Sequence, residues 1–218
     1  MPAQNRPSPL LLFPLTFLVA LAGAGEPTPR ANAHELILVR HTDKDPQRGD
    51  YNLSPAGSQR ALKLARMLPA CFGAPTEIIT FMMNDRTSKN ARSYQSAVPL
   101  AVATGVEIHL SRNSLPDSLG VGRRLRRRIA QGSTPQRFIL FWEHRRMPEL
   151  ARGLGWPAMA PIGDHDFDQL FVFRYRTAQA SPEVRQYSQN QLFRHTCSRQ
   201  ARLPWGATTA APLEQGLP

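Results

Sequence analysis

The sequence predicts an α/β protein, a three-layer α/β/α sandwich around a mostly parallel central sheet. Short apolar runs alternate along the chain with segments of helical periodicity. That alternation is typical of parallel sheets that are covered by helices on both faces. The 218 residues suit one domain with a sizeable core, and 41% hydrophobic with 20% charged residues is ordinary for a globular protein.

The predicted strands are short apolar runs bounded by polar or turn-forming residues. The run at 138–142 is continuously apolar, which favours a central position in the sheet. The predicted strands are 35–39, 77–82, 106–110, 138–142 and, as the last one, 170–173.

The first helix is predicted to begin at Ser54-Pro55, with serine as the N-cap and proline at the first helical position. Apolar residues then recur at helical spacing. Further helices are predicted at 91–104, 118–131 and 148–154.

The N-terminus has the outline of a secretory signal peptide. Arg6 provides a positive start, an apolar run follows at 10–22, and small-x-small cleavage patterns occur at 22–24 and 31–33. The run is short for a transmembrane span of ~20 residues, although an uncleaved anchor is the alternative. We therefore expect a periplasmic or secreted protein without stable membrane insertion. The expected organisation is a signal peptide at 1–24, a linker at 25–34, a domain at 35–198 and a disordered tail at 199–218.

The two cysteines, Cys71 and Cys197, fit two interpretations. In an oxidising compartment they can form one disulfide, and otherwise they are two unpaired thiols. Neither has a histidine at ligand spacing beside it, so they do not indicate a zinc site.

The formal net charge of +11 is carried mainly by arginine. Such a balance fits an anionic small substrate, a nucleic acid or an anionic membrane surface. The run 123–128 contains five arginines, which either extend a site for a polyanion or form the solvated face of a helix. No recognisable nucleic-acid module accompanies the run, so we expect no nucleic-acid partner.

Two histidines follow predicted strands at corresponding places. His41 follows the first strand, with Arg40 between them, and His144 follows the strand at 138–142, with Glu143 between them. In a parallel sheet both would lie at the carboxyl edge, where functional groups gather. A neutral imidazole is a nucleophile near neutral pH and can accept a phosphoryl group, whose charged oxygens need cationic donors. The residues therefore indicate phosphoryl transfer.

The sequence resembles the histidine phosphatase superfamily, which includes the cofactor-dependent phosphoglycerate mutases. The strand ending in Arg40-His41 is similar to the family signature, although Thr42 stands where glycine or alanine is usual. The segments that carry the resemblance are 38–44, 52–61, 91–97, 142–144 and 164–168.

The resemblance implies a phosphoglycerate mutase-like fold and a role for each matching residue. His41 would be the nucleophile that becomes phosphohistidine, and Arg40 and Arg92 would bind the phosphoryl oxygens. His144 would be the second histidine of the pocket. The chemistry requires no metal and no cofactor.

The sequence does not determine which residue would act as the general acid. In many members a carboxyl group between the second arginine and the second histidine protonates the leaving group. That interval offers Glu107, Asp117 and Glu143, and Asp43 lies near the nucleophile. Glu143 and His144 are adjacent, so in a strand they would point to opposite faces. Asp117 and Glu143 are the candidates we carry forward.

These observations predict an exported phosphatase that hydrolyses small phosphomonoesters through a phosphohistidine. A mutase is disfavoured, because export would separate it from glycolytic substrates. The alternatives are a non-catalytic phosphate- or anion-binding protein on the same fold, and a basic protein that binds nucleic acid or an envelope surface.

Overall fold

A computed structural model describes residues 33–111, 117–176, 181–194 and 197. The predicted signal peptide, most of the predicted linker and the predicted tail lie outside the described residues. Among those described, no helix has the length and apolar character needed to cross a membrane.

Six strands form one sheet in the order β3-β2-β4-β1-β5-β6. The strands β1 to β4 pair in parallel, whereas β5 and β6 are antiparallel. The expected mostly parallel sheet is thus confirmed, with an antiparallel pair at one side. The strands are β1 His34–Arg40, β2 Glu77–Thr80, β3 Ile108–Leu110, β4 Arg137–Trp142, β5 Gln169–Tyr175 and β6 Glu183–Ser188.

Helices cover both faces of this sheet, as the sequence predicts. Neighbouring residues of a strand point to opposite faces, so Leu36 and Leu38 pack with the helices α3 and α4, while Ile37 and Val39 pack with α1, α2 and α5. The result is the predicted three-layer sandwich with two apolar cores. The helices are α1 Pro55–Phe72, α2 Ala91–Thr104, α3 Ser118–Gln131, α4 Met147–Gly153 and α5 Gln189–Arg194, and a 3-10 turn, His144–Arg146, precedes α4.

The signals for helix starts act as expected at α1. The Ser54 hydroxyl accepts a hydrogen bond of 3.0 Å from the Gly57 amide, and Pro55 occupies the first helical position. This cap places the start of α1 directly against the loop that follows β1, because the Ser54 amide also donates to the Asp43 carbonyl at 3.0 Å.

One prediction about the end of the domain is wrong. The strand near 170–173 is not the last, because β6 pairs antiparallel with it and α5 follows. The strand β6 contains no continuous apolar run, and most of its side chains are only half-buried. A strand at the sheet edge needs no such run, and the sequence pattern therefore misses it.

A disulfide joins Cys71 in α1 to Cys197, with Cα atoms 5.0 Å apart. It settles the question of the two cysteines in favour of pairing. The bond ties the chain beyond α5 to the helix layer on one face of the sheet.

The arginine run lies on α3 with its apolar residues turned inward. Leu125 and Ile129 are buried in the core. Arg128 donates from its two terminal nitrogens to the Glu77 carboxylate at 3.1 and 2.6 Å. This arginine therefore serves a structural ion pair between helix and sheet.

Candidate active site

His41 lies at the carboxyl end of β1 and is only 5% exposed. Its amide donates to the Trp142 carbonyl at 3.0 Å, which continues the pairing of β1 with β4. The Nδ1 atom lies 2.8 Å from the Thr42 carbonyl oxygen. Since that oxygen can only accept, Nδ1 carries the proton, and the lone pair of the neutral ring is left on Nε2.

Burial, together with the charges of Arg40 and Arg92, lowers the pKa of His41 to about 3 against the opposing hydrogen bond to Thr42. The imidazole is consequently neutral over the whole physiological range. A neutral imidazole with a defined tautomer is the form that can attack phosphorus.

His144 lies in the turn after β4 and is 3% exposed. Its ring centroid is 6.3 Å from that of His41, and the two rings are nearly perpendicular. Its Nε2 lies 2.6 Å from Asp164 Oδ1. Its Nδ1 lies 3.0 Å from Glu143 Oε1, a close contact that does not have hydrogen-bond geometry. The structure thus brings together the two predicted histidines and places a carboxylate at each side of the second.

Arg40 is 1% exposed and is held by the loop before β5. Its terminal nitrogens donate to the carbonyl oxygens of Gly163, Asp164 and Asp166 at 2.8, 2.8 and 2.6 Å, and its guanidinium lies 3.9 Å from the centroid of the Phe167 ring. Burial lowers its pKa to about 10, so it stays charged at neutral pH. Its Nε atom is buried and has no hydrogen-bond partner among the described residues.

Arg92 begins α2 and contacts a different loop. Its Nε donates to the Asn52 carbonyl at 3.0 Å, and a terminal nitrogen donates to the Asp50 carbonyl at 2.5 Å. Its positive charge lowers the pKa of His41. This arginine is therefore close enough to His41 to affect its protonation. Part of its guanidinium holds the loop 50–52.

Thr42, the residue that departs from the family signature, is fixed by α2. Its amide donates to Ser96 Oγ at 2.9 Å, and its own hydroxyl lies 3.2 Å from the same oxygen. Ser96 in turn donates to the Arg92 carbonyl at 2.7 Å. The threonine hydroxyl thus connects the nucleophile's neighbour to the helix that carries Arg92.

No protein-family model and no curated protein matches the sequence, but solved structures do. The protein histidine phosphatase SixA, solved with tungstate, superposes with a TM-score of 0.55 at 11% identity, covering 72% of this chain and 99% of that chain. A phosphoserine phosphatase from Entamoeba histolytica gives a TM-score of 0.50 at 15% identity, covering 73% and 99% of the two chains.

This chain has the histidine phosphatase fold. Identities this low show the fold alone. The expected fold type and the phosphoglycerate mutase-like architecture are thereby confirmed.

On this histidine phosphatase fold, the structure separates the candidates for the general acid. Asp117 caps α3, with its carboxylate accepting from the Gly120 amide at 2.8 Å, so this carboxylate is engaged at the helix start. Glu107 precedes β3 and lies at the amino edge of the sheet, away from the histidines. Asp43 Oδ2 pairs with Arg60 Nε at 2.7 Å.

Glu143 lies beside His144, whereas strand alternation predicts opposite faces. The strand ends at Trp142 and the chain enters a 3-10 turn, so alternation no longer applies. Burial opposes ionisation of Glu143, but its contacts with His144 and Arg145 outweigh burial and hold its pKa at about 2. It is a carboxylate at neutral pH and not a ready proton donor.

The sequence predicted no role for the loop 163–167, although the segment 164–168 carries part of the family resemblance. The loop supplies the acceptors for Arg40, the ring over its guanidinium and the Asp164 carboxylate on His144. Carbonyl groups carry no sequence signal, so only the three aspartates before β5, Asp164, Asp166 and Asp168, offered a hint.

Proposed function

We propose that this chain is a phosphatase that hydrolyses phosphomonoesters through a phosphohistidine on His41. The observation that carries the proposal is the buried His41 imidazole, whose Nδ1 proton is donated to Thr42. That hydrogen bond directs the nucleophilic lone pair to Nε2, beside a second buried histidine and a buried arginine.

The reaction would proceed in two displacements. Nε2 of His41 attacks phosphorus, the bond from phosphorus to the ester oxygen breaks, and the departing oxygen takes a proton from solvent water. Water then attacks phosphorus, and the phosphorus–nitrogen bond breaks. This step releases inorganic phosphate, restores the neutral imidazole and returns to solvent the proton used in the first step. The Arg40 guanidinium and His144 would stabilise charge on the phosphoryl oxygens in both steps.

Two features support export as part of the proposal. The N-terminus has the pattern of a signal peptide, and the Cys71–Cys197 disulfide is of the kind that persists in oxidising compartments. Fractionation of expressing cells, with the disulfide state of each fraction, tests this component separately.

The activity is tested with purified protein and p-nitrophenyl phosphate, comparing the wild type with His41→Ala and with Glu107→Gln as a remote control. We expect hydrolysis by the wild type and the control and a loss of about 10³-fold or more for His41→Ala, because the nucleophile is removed. Acid-labile phosphate trapped on the wild type and the control but not on His41→Ala would support the phosphohistidine. Equal turnover in all three proteins would refute it, and phosphate binding without turnover would favour an anion-binding protein.

A further inference from the structure

The site contains an anion of its own, which contacts the second histidine. Asp164 Oδ1 lies 2.6 Å from His144 Nε2, and the aspartate side chain is 67% exposed. A phosphoryl oxygen and a carboxylate oxygen are both acceptors for this nitrogen. One N–H group satisfies one such acceptor well, so the two anions compete for it.

One donor of the arginine that binds the Asp164 carbonyl has no acceptor among the described residues. Arg40 Nε is buried without a hydrogen-bond partner in that part of the chain, and the whole residue is only 1% exposed. A buried donor without an acceptor is destabilising. An anion within reach of both His144 Nε2 and Arg40 Nε would satisfy both donors, whereas the Asp164 carboxylate accepts its hydrogen bond from the histidine.

The aspartate side chain can leave without disturbing the loop that bears it. The backbone of the loop is held by Arg40 through the carbonyl oxygens of Gly163, Asp164 and Asp166 and by a turn from the Asp166 amide to Gly163 at 3.0 Å. None of these bonds involves the Asp164 carboxylate. Its displacement therefore requires only a rotation of a mainly exposed side chain.

We propose that Asp164 sets the phosphoryl affinity of the site by competing with the phosphoryl group for His144. In the unliganded protein its carboxylate binds His144 Nε2, and it turns out into solvent when a phosphate monoester binds. This role rests on the proposed function of the site and identifies a residue that determines affinity for oxyanions.

Inorganic phosphate is the probe, and its binding is measured by titration calorimetry. The proteins are the wild type, Asp164→Ala, Asp164→Asn and the charge-matched control Glu107→Gln, each checked for folding by its thermal transition. We expect about tenfold tighter phosphate binding by Asp164→Ala, since a competing charged hydrogen bond is removed. Asp164→Asn, which keeps an acceptor without the charge, should be intermediate, and the control should match the wild type.

Unchanged or weaker phosphate binding by Asp164→Ala would overturn the proposal and leave Asp164 as a group that only orients His144. An equal gain in Glu107→Gln would also overturn it, by showing a general charge effect. Binding by Asp164→Ala and not by the wild type would support it, and binding by neither would refute it.

Turnover of p-nitrophenyl phosphate is followed in the same proteins, with KM and kcat separated. A lower KM in Asp164→Ala is expected. If no protein turns over but phosphate binding tightens as expected, the phosphatase proposal fails while the role of Asp164 stands.

Discussion

At the scale of single residues, the properties of His41, the proposed nucleophile, are set by its neighbours more than by its own residue type. The Thr42 carbonyl fixes the tautomer of His41, and burial with the charges of Arg40 and Arg92 keeps the ring unprotonated. Histidine and arginine at a strand end can be recognised from the sequence. The carbonyl acceptors that orient them cannot, because every residue has one.

Protonation of His41 should couple stability to pH. The unfolded histidine binds a proton below about pH 6.5, whereas the folded one does so only below about pH 3. The contribution of the neutral ring to the free energy of unfolding is therefore fully present above about pH 6.5. It decreases as the pH drops toward 3, by up to ~1.4 kcal/mol per pH unit. Urea denaturation of the wild type and His41→Gln measures this dependence between about pH 4 and about pH 8, a range that brackets the pKa of an unfolded histidine. Parallel curves for the two proteins would contradict the expectation.

Glu143 should act on the position of His144 and not as a proton donor, because its pKa of about 2 leaves it ionised. Glu143→Gln is therefore expected to slow a series of aryl phosphates by a similar factor, about tenfold for a lost charged contact. Rates are measured against the acidity of the leaving phenol. A selective loss on the least acidic phenols would instead identify Glu143 as the general acid.

At the scale of elements, the start of α1 packs against the loop that follows His41. The Asp43 carbonyl accepts from the Ser54 amide at 3.0 Å, and a Cβ atom on Gly57 would lie 2.1 Å from that carbonyl oxygen. Only glycine permits this approach. The capping pattern was predictable from Ser54-Pro55, whereas the contact with the loop required the tertiary structure.

Gly57→Ala should therefore displace the loop that contains Thr42 and Asp43. We expect a loss of about 1–3 kcal/mol in the free energy of unfolding, as for overpacked cores, together with reduced phosphatase activity. Gly49→Ala is the matched control, because its Cβ would meet nothing within 4 Å. Equal stability of the two variants would show that the loop adapts without cost.

At the scale of the whole molecule, periodicity predicted the parallel core and the strand β5, and it missed β6 and α5. The apolar runs of β1 and β4 report burial on both faces, and the ranges of α2 and α3 match their predicted ranges. By contrast, β6 is half-buried and α5 is six residues long, so neither has enough periodicity to be recognised. The pairing of Cys71 with Cys197 was likewise left open, since spacing alone does not determine proximity.

The disulfide should stabilise the domain as a whole. It links residues 126 positions apart, and closing a loop of this length in the unfolded chain contributes about 5 kcal/mol in the chain-entropy model. The Cys71→Ser/Cys197→Ser variant should lose stability of this order in urea denaturation. Reductant should destabilise the wild type to the same level and leave the variant unchanged. A wild type insensitive to reductant would contradict the prediction.

The pairing of Arg40 with Trp142 in neighbouring parallel strands has a consequence for how such a protein can diversify. Adjacent strands are separated by about 4.8 Å whatever side chains they carry, so the spacing of the elements that bear the two histidines is a property of the backbone. Substitutions cannot adjust it by small steps. If the chain is the phosphatase we propose, new substrates must be accommodated by the loops around these strands, so the phosphoryl chemistry and the choice of leaving group can change independently.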